Sequence, residues 1–346
     1  MNNPKNLLIV RTDRIGDLVL TLPLAEVIKK HYPDCKVTFL IREYTKEILF
    51  NHPFIDEVIL VKTKKEQNTI TFLDNYKIIK EKNFDTVIVV SPRLIISLIA
   101  FLSRINFRIG TSYRWYSFLF NKKVYIHRKY AEKHELEFNL EMLKKIDITE
   151  NIFPKNISYS LQVNSKNKNR VEQILFSKNI SLTKPTFIIH PGSGGSSIDL
   201  PLSKFIDLTT KITNDFDMEI IITGNKNENV ICNSLVINNK VKNLAGELNL
   251  SELIYLINKC YLFISNSTGP LHIAAALNKY VIGFYPNSLA CSYKRWGPYG
   301  SRTKVFTPQQ ECKNCKMEQC SNEDCMNNID INDVINYIKN INNNFS

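Results

Sequence analysis

The sequence predicts an α/β fold in which two parallel-sheet units face each other across a cleft. The chain has 346 residues, more than one hydrophobic core usually serves. Strand-like apolar runs alternate with helix-like segments, a pattern typical of βαβ units and a mostly parallel sheet. The alternation stops at residues 163–184, where Asn, Lys and Ser accumulate, and then begins again. We therefore predict two domains, residues 1–162 and 185–346, joined by a linker region.

The first domain opens on a strand and repeats the strand–helix alternation. Pro23 lies inside the first predicted helix, and we expect it to bend that helix near its first turns. Apolar runs and amphipathic spacing predict strands at 7–10, 36–41, 57–61 and 86–90, and helices at 18–32 and 75–82.

The second domain shows the same order of elements, after a short amphipathic piece at 170–176 in the linker region. The last segment, 331–341, is an amphipathic helix, and one arrangement that we consider is packing back across the domain junction. The pattern predicts strands at 186–189, 219–223, 262–265 and 281–285, and helices at 202–213, 250–258 and 271–277.

The composition is that of a soluble globular protein, with 44% hydrophobic and 23% charged residues. The net charge of +12 indicates an acidic partner such as nucleic acid, an anionic membrane or a phosphorylated substrate, unless it only reflects a basic proteome. The first residues, MNNPKN, lack the layout of a signal peptide, and the longest apolar window, 94–102, is about half of a membrane span. We expect a cytoplasmic protein with its eight cysteines mostly reduced.

The opening segment, LLIVRTDRIGDLVLTLP at residues 7–23, carries the first chemical signal. Its apolar strand ends in a loop with Arg11 and Arg14, followed by Gly16 and Asp17 at the start of a helix. Open α/β sheets bind ligands where such strands end. The helix dipole favours an ionised Asp17, the state that a general base needs. The alternative is that Asp17 only caps the helix.

Two loops of the second domain have the composition of phosphate-binding loops. Residues 190–197, HPGSGGSS, expose backbone N–H groups and hydroxyls suited to a diphosphate at a helix N-terminus. No Gly-Lys-Ser/Thr follows, which disfavours ATP hydrolysis, and a flexible turn is the alternative. Residues 265–272, SNSTGPLH, place Thr268 and Gly269 before a helix, as donors to a phosphate.

Together these segments resemble glycosyltransferase family 9, typified by the ADP-heptose:lipopolysaccharide heptosyltransferases. The resemblance covers nearly the whole chain, and several motifs in the same order are more specific than any one of them. The motifs are RTDRIGDLVLTLP at 11–23, HPGSGG at 190–195, NLAGELNL at 243–250, SNSTGPLHIAAAL at 265–277 and RWGP at 295–298.

The resemblance implies a GT-B fold of two Rossmann-like domains, with acceptor binding in the first and nucleotide-sugar binding in the second. It implies inverting, metal-independent transfer of a heptose from ADP-heptose to a lipopolysaccharide inner-core acceptor, with no cofactor required. Asp17 would be the general base, with Arg11, Arg14 and Gly16 on the acceptor side. The implied donor-binding residues are Gly192, Ser193, Gly194, Glu228 (ribose), Leu248 (adenine), Ser267, Thr268, Gly269 and Pro270.

Two positions depart from the family pattern, and both lie on the donor side. Ile198 stands where the glycine loop of the family usually has Lys, and Ser267 stands where the heptosyltransferases often have Asp. A family 9 transferase that uses a different nucleotide sugar is therefore one alternative. A non-catalytic nucleotide- or nucleic-acid-binding protein is the other, which the intact Gly16-Asp17 loop argues against.

Residues 93–133 contain nine Lys or Arg, nine aromatic residues and one acidic residue, Glu132. This composition suits an anionic glycolipid acceptor at the membrane surface, and it predicts peripheral association with the inner face of the membrane. Nucleic acid would be served by the same composition, although we favour it less. The alternative is that the aromatic residues are core and the charges are solvated.

Four of the eight cysteines, Cys312, Cys315, Cys320 and Cys325, lie within fourteen residues. In a reducing compartment this spacing indicates a structural zinc site or, less well, an iron–sulfur site. The alternative is a patch of free thiols. No catalytic role follows from either.

Overall fold

The computed structural model describes residues 3–64, 69–149, 157–181, 183–309 and 325–342. The chain divides into two compact units, Met1–Gln162 and Val163–Ser346. Each unit contains a six-stranded sheet whose neighbouring strands are paired in parallel. The prediction of an α/β fold with two parallel sheets is therefore confirmed.

The first unit is a doubly wound sheet with the strand order β3-β2-β1-β6-β7-β8. The central strand β1 is buried along most of its length, which explains its unbroken apolar sequence. The chain leaves β1 beside β6, where the strand order reverses, so the loop after β1 lies where such folds bind ligands. The elements are β1 Asn6–Val10, α1 Ile15–Val19, α2 Pro23–His31, β2 Lys36–Ile41, β3 Glu57–Leu60, β4 Thr63–Lys64, β5 Thr69–Ile70, α3 Phe72–Glu81, β6 Thr86–Val89, α4 Leu94–Leu102, β7 Phe107–Thr111, β8 Lys122–Val124 and α5 Glu135–Glu141.

The first predicted helix, 18–32, is wrong as a single element. The chain forms two helices, α1 and α2, and Pro23 is the first residue of α2 rather than a bend inside one helix. Proline is favoured at that position because its missing N–H has no partner in the first turn of a helix.

Three elements of the first unit lie in residues 93–133, the stretch interpreted by composition alone. They are the helix α4 and the strands β7 and β8. The strand β8 has the sequence KKV, which carries no apolar run, so its place at the edge of the sheet had no signal in the sequence.

The second unit repeats the topology of the first, with the strand order β11-β10-β9-β12-β13-β14. The strands β9 and β12 are neighbours at the point where the order reverses, so the loops that follow them leave the same edge of the sheet. The elements are α6 Lys168–Ser177, β9 Thr186–His190, α7 Leu202–Asp215, β10 Glu219–Ile222, α8 Asn229–Asn233, β11 Val241–Asn243, α9 Leu250–Lys259, β12 Leu262–Asn266, α10 Gly269–Ala276, β13 Tyr280–Phe284, α11 Tyr293–Trp296, β14 Thr303–Phe306 and α12 Ile331–Asn342.

The two ends of the second unit are helical. Helix α6 lies in the predicted linker region 163–184 and packs against α9. Helix α12 packs against α7, with Val334 and Ile338 fully buried in the core of its own unit. The apolar stripe of this last helix therefore packs within the second unit, and packing across the junction stays a prediction.

Candidate functional site

The loop after β1 holds a buried arginine surrounded by three carboxylates. Arg11 is only 3% exposed. Its Nη2 donates to Oδ1 of Asp17, its Nε lies 3.2 Å from Oδ2 of Asp13, and its Nη1 lies 3.4 Å from Oε1 of Glu135. A buried guanidinium needs such partners, because desolvating an unpaired charge is costly.

The electrostatics of this loop keep Arg11 charged. Burial on its own would lower the pKa of Arg11, but attraction to Asp17, Glu135 and Asp13 outweighs burial and raises that pKa above its ordinary value. The Arg11 guanidinium is thus a fixed positive charge in contact with the carboxylate of Asp17.

Glu135 extends this cluster into a hydrogen-bond network that the sequence did not predict. Its side chain is fully buried, and Oε1 accepts from Nη1 of Arg128 at 2.6 Å as well as from Arg11. Arg128 also donates to Asn139 at 3.1 Å, and Asn139 donates to the backbone carbonyl of Leu20 at 3.1 Å. The network therefore ties α5 to the turn that follows Asp17.

The sequence offered one weak sign of this network. Glu135 begins α5, and His134 before it caps the helix by accepting from the N–H of Leu136. An acidic residue at the first helical position is ordinary at the positive end of a helix. Full burial, rather than its position in the helix, distinguishes Glu135 from an ordinary acidic residue at a helix N-terminus. That burial could not be predicted from the sequence.

The capping role of Asp17 is confirmed, and its role as the general base stays a prediction. Its Oδ2 accepts from the backbone N–H of Arg14 at 3.3 Å, so it caps α1, while Oδ1 contacts Arg11. Its side chain is 17% exposed, so solvent reaches it. Gly16 is buried beside it. Arg14 reaches the carboxylate through its backbone N–H. A partly exposed, oriented carboxylate is the geometry that a general base requires.

The glycine loop of the second unit is built around Glu228. A Cβ on Gly192 would lie 2.0 Å from Oε1 of Glu228, so any larger residue at this position would displace the carboxylate. The other oxygen of Glu228 accepts from the backbone N–H of Asn225 at 2.8 Å. The structure thus brings together two predicted donor residues that are 36 positions apart in the sequence.

Hydrogen bonds join the glycine loop to the loop after β12. Ser265 donates to the carbonyl of His190 at 2.8 Å, and Asn266 donates to the carbonyl of Pro191 at 2.5 Å. Ser196 donates to the carbonyl of Ser267 at 2.8 Å, which fixes the two loops at a second point. These three residues position the predicted donor residues.

The loop after β12 ends at the N-terminus of α10. Thr268 caps the helix by accepting from the N–H of Leu271 at 3.4 Å, and Gly269 and Pro270 form its first two residues. Exposed N–H groups at a helix N-terminus favour an anion. In the glycine loop after β9, Gly194 has a φ of +57°, which lies in the left-handed region that favours glycine.

The glycine loop contains two buried hydroxyl groups, those of Ser193 and Ser197, and Oγ of Ser197 lacks a hydrogen-bond partner among the described residues. The side chain and backbone of Ser193 interact with the carboxylate of Asp199, which follows the loop. Burial raises the pKa of Asp199 to about 6, although the neighbouring Ser193 offsets part of that effect. Hydroxyl groups can donate to an anionic ligand, the chemistry that the sequence predicts for a diphosphate site here.

His190 adds no charge to this loop. Burial lowers its pKa to about 4, against the opposing attraction of Glu228, and its Nδ1 lies 3.0 Å from Oγ1 of Thr223.

Leu248 is half-buried in the turn between β11 and α9. No contact joins Leu248 to the glycine loop among the hydrogen bonds and core clusters that the structure describes. Ile198 packs against the hydrophobic core of the unit.

Comparison with known proteins identifies the family of this chain. The model of glycosyltransferase family 9 (heptosyltransferase) matches residues 74–326, more than half of the chain. The chain belongs to glycosyltransferase family 9. Its similarity to lipopolysaccharide heptosyltransferase 3 of Escherichia coli is 23% identity over 304 residues, covering 84% of this chain and 85% of that protein.

Solved structures of two similar proteins share the fold of this family 9 protein. A family 9 glycosyl transferase from Veillonella parvula superposes with a TM-score of 0.80 at 19% identity, covering 96% of this chain and 95% of that one. The ADP-heptose lipopolysaccharide heptosyltransferase II of E. coli superposes with a TM-score of 0.73 at 20% identity, covering 88% and 92%. The GT-B fold expected from the resemblance is confirmed.

The predicted cysteine cluster and the question of a membrane-spanning helix concern other parts of the chain. Cys312, Cys315 and Cys320 lie outside the described residues, and Cys325 is buried in the core of the second unit. Within the described ranges, no group of three or more His, Cys, Asp or Glu has the arrangement of a metal site. The zinc site stays a prediction. Among the same residues, no helix has the length and apolar character needed to cross a membrane.

Proposed function

We propose that this family 9 protein transfers a heptose from ADP-heptose to a lipopolysaccharide inner-core acceptor, with inversion at the sugar. The observation that carries the proposal is the pair of joined loops after β9 and β12. They present glycine N–H groups, the Ser193 hydroxyl and the N-terminus of α10 at one sheet edge. This arrangement suits a nucleoside diphosphate, the leaving group of such a transfer.

Asp17 supplies the base in this proposal. Its carboxylate takes the proton of the attacking acceptor hydroxyl, and that oxygen forms a bond to the anomeric carbon of the donor sugar. The bond from that carbon to the β-phosphate oxygen breaks, and ADP leaves with its electron pair. Attack opposite to the leaving group inverts the anomeric centre. Arg11 holds Asp17 in place, because its guanidinium contacts the carboxylate directly.

The donor side of the site supports an ADP-sugar by chemistry. Glu228 is fixed beside Gly192, as a carboxylate that would accept from the ribose hydroxyls. Backbone N–H groups and hydroxyls, rather than a cation at Ile198, would bind the diphosphate. We propose that no metal is needed, so that a chelator leaves turnover unchanged. The two E. coli proteins described above are lipopolysaccharide heptosyltransferases, which supports this acceptor.

A family 9 transferase with a different donor is the second candidate. The observation that favours it is Ile198, whose side chain packs on the core where the family pattern has a lysine. Serine at 267 is the other departure on this side of the site.

The test is a transfer assay over a panel of nucleotide sugars, with the product identified by mass spectrometry. We expect turnover of ADP-heptose to exceed that of ADP-glucose, UDP-glucose and GDP-mannose. Turnover of another nucleotide sugar with none of ADP-heptose would contradict the donor assignment. Tight ADP binding without transfer to any inner-core acceptor would support the non-catalytic alternative. We further propose that transfer takes place at the inner face of the membrane, where a lipid-anchored acceptor and a soluble nucleotide sugar meet.

A further inference from the structure

Helix α4 of the first unit is a surface helix without a polar face. Its sequence, LIISLIAFL, contains no charged residue, and its single hydroxyl, Ser97, is fully buried. The outward side carries apolar residues instead: Leu94 is 41% exposed, Phe101 44% and Leu102 42%. Surface helices of soluble proteins normally have a polar outer face, so this stripe indicates a partner.

The exposed stripe continues onto the segment between β7 and β8. A short 3₁₀ helix there, Ser117–Leu119, packs against α4 and presents Phe118, which is 65% exposed. Trp115 before it is 75% exposed. The alternative that the aromatic residues of this stretch are core therefore holds for Tyr116 and Phe120, which are buried, and fails for these two.

Arginines border this apolar surface. Arg108 lies over the ring of Phe101 at 5.2 Å and donates to the carbonyl of Leu119 at 2.9 Å. Arg104 follows the C-terminal end of α4, and Arg114 lies beside Trp115. Across the described residues, no carboxylate pairs with any of these three arginines. Arg93, at the other end of α4, lies 3.4 Å from Asp13.

The surrounding sequence is free of acidic residues. Between residues 86 and 131 the chain has eight Lys or Arg and neither Asp nor Glu. Two copies of this surface would bring two cationic borders together, which opposes self-association. The exposed aromatic side chains could stack on bases, but Leu94 and Leu102 beside them could not, so a continuous apolar surface of both kinds favours lipid over nucleic acid. Apolar side chains inside a cationic border match the interface of an anionic bilayer.

We propose that α4 and the Trp115–Phe118 segment form a docking surface for an anionic lipid bilayer. The leucine and aromatic side chains enter the boundary between headgroups and acyl chains, and Arg104, Arg108 and Arg114 contact the lipid phosphates. This inference rests on the proposed function, whose acceptor is anchored in lipid, and deepens it by naming the surface that contacts the membrane. It concerns binding to lipid alone, so its test needs no donor and no turnover.

The test is co-sedimentation of the full chain with vesicles rich in phosphatidylglycerol and with vesicles of phosphatidylcholine only. We expect binding to the anionic vesicles that weakens as salt is added. The double variant Phe101→Ser/Phe118→Ser should lose about tenfold or more in affinity, because two aromatic side chains no longer leave water. Arg114→Glu should lose about fivefold or more.

Matched controls distinguish binding by this surface from nonspecific hydrophobic or electrostatic binding to vesicles. Phe176→Ser removes an aromatic side chain that is 85% exposed on α6 of the second unit, and Lys77→Glu reverses an exposed charge on α3. Both should bind vesicles as the wild type does. Thermal unfolding within about 2 °C of the wild type shows that the patch variants are folded.

Three outcomes would overturn the inference. They are absence of vesicle binding by the wild type, equal loss in the patch and control variants, and a wild-type dimer without lipid that the Phe101→Ser/Phe118→Ser variant turns into a monomer. None of them bears on transfer. Conversely, vesicle binding without any transfer would contradict only the proposed function.

Discussion

The charge of Glu135 holds the loop after β1 together, and Glu135→Gln tests this. Three N–H groups, two from Arg11 and one from Arg128, point at its Oε1. Both Glu135 and Arg11 are buried, at 0% and 3% exposed. Breaking a buried ion pair costs about 3–5 kcal/mol, and the amide keeps one acceptor oxygen, so we expect about 3 kcal/mol.

Calorimetry measures this loss as a shift in the unfolding temperature. For a unit of this size, about 1 kcal/mol lowers the midpoint by about 2–4 °C, so Glu135→Gln should lower it by about 6–12 °C. The matched control is Glu43→Gln, which removes an ion pair to Lys46 at 3.1 Å with Glu43 69% exposed. It should cost less than about 0.5 kcal/mol. Equal midpoints for the two variants would refute the structural role of Glu135.

Two further predictions concern the second unit. Gly192→Ala should weaken ADP binding about tenfold, measured by calorimetric titration, because its Cβ would displace the carboxylate of Glu228; Gly300→Ala, with its nearest neighbour at 3.6 Å, should bind as the wild type does. Asp199→Asn should stabilise the protein by about 1–2 kcal/mol at pH 8 and by almost nothing at pH 4, measured by urea unfolding. The raised folded pKa of Asp199, about 6, means that its ionisation costs stability as the pH rises from about 4 to 6. The difference from the wild type cancels the opposite contribution of His190, whose lowered pKa makes stability fall as the pH falls below about 6.5.

The sequence predicted those parts of the fold whose residues are buried on both sides. The central strands β1, β6, β9 and β12 are apolar runs because helices cover both faces of a parallel sheet, and their positions were predicted to within one or two residues. The edge strand β8 was missed, since KKV has no such pattern. Edge strands pack on fewer neighbours, so their sequences are less constrained.

The site was predictable where the chemistry sits in one continuous loop. Gly192 and Ser193 follow β9 directly, and Asp17 follows β1 after one short loop. Glu135 was not predictable, because it reaches Arg11 across 124 positions of sequence. Its role comes from tertiary packing of α5, and no local pattern encodes that distance.

The central claim is that Asp17 is the base, and one matched pair of variants tests it most directly. Asp13 and Asp17 both pair with Arg11, and both side chains are 17% exposed. We expect Asp17→Asn to lower kcat by about 10²–10⁴-fold with ADP-heptose affinity unchanged, and Asp13→Asn to lower kcat by less than about tenfold. Equal losses of kcat in the two variants, or full turnover by Asp17→Asn, would contradict the claim.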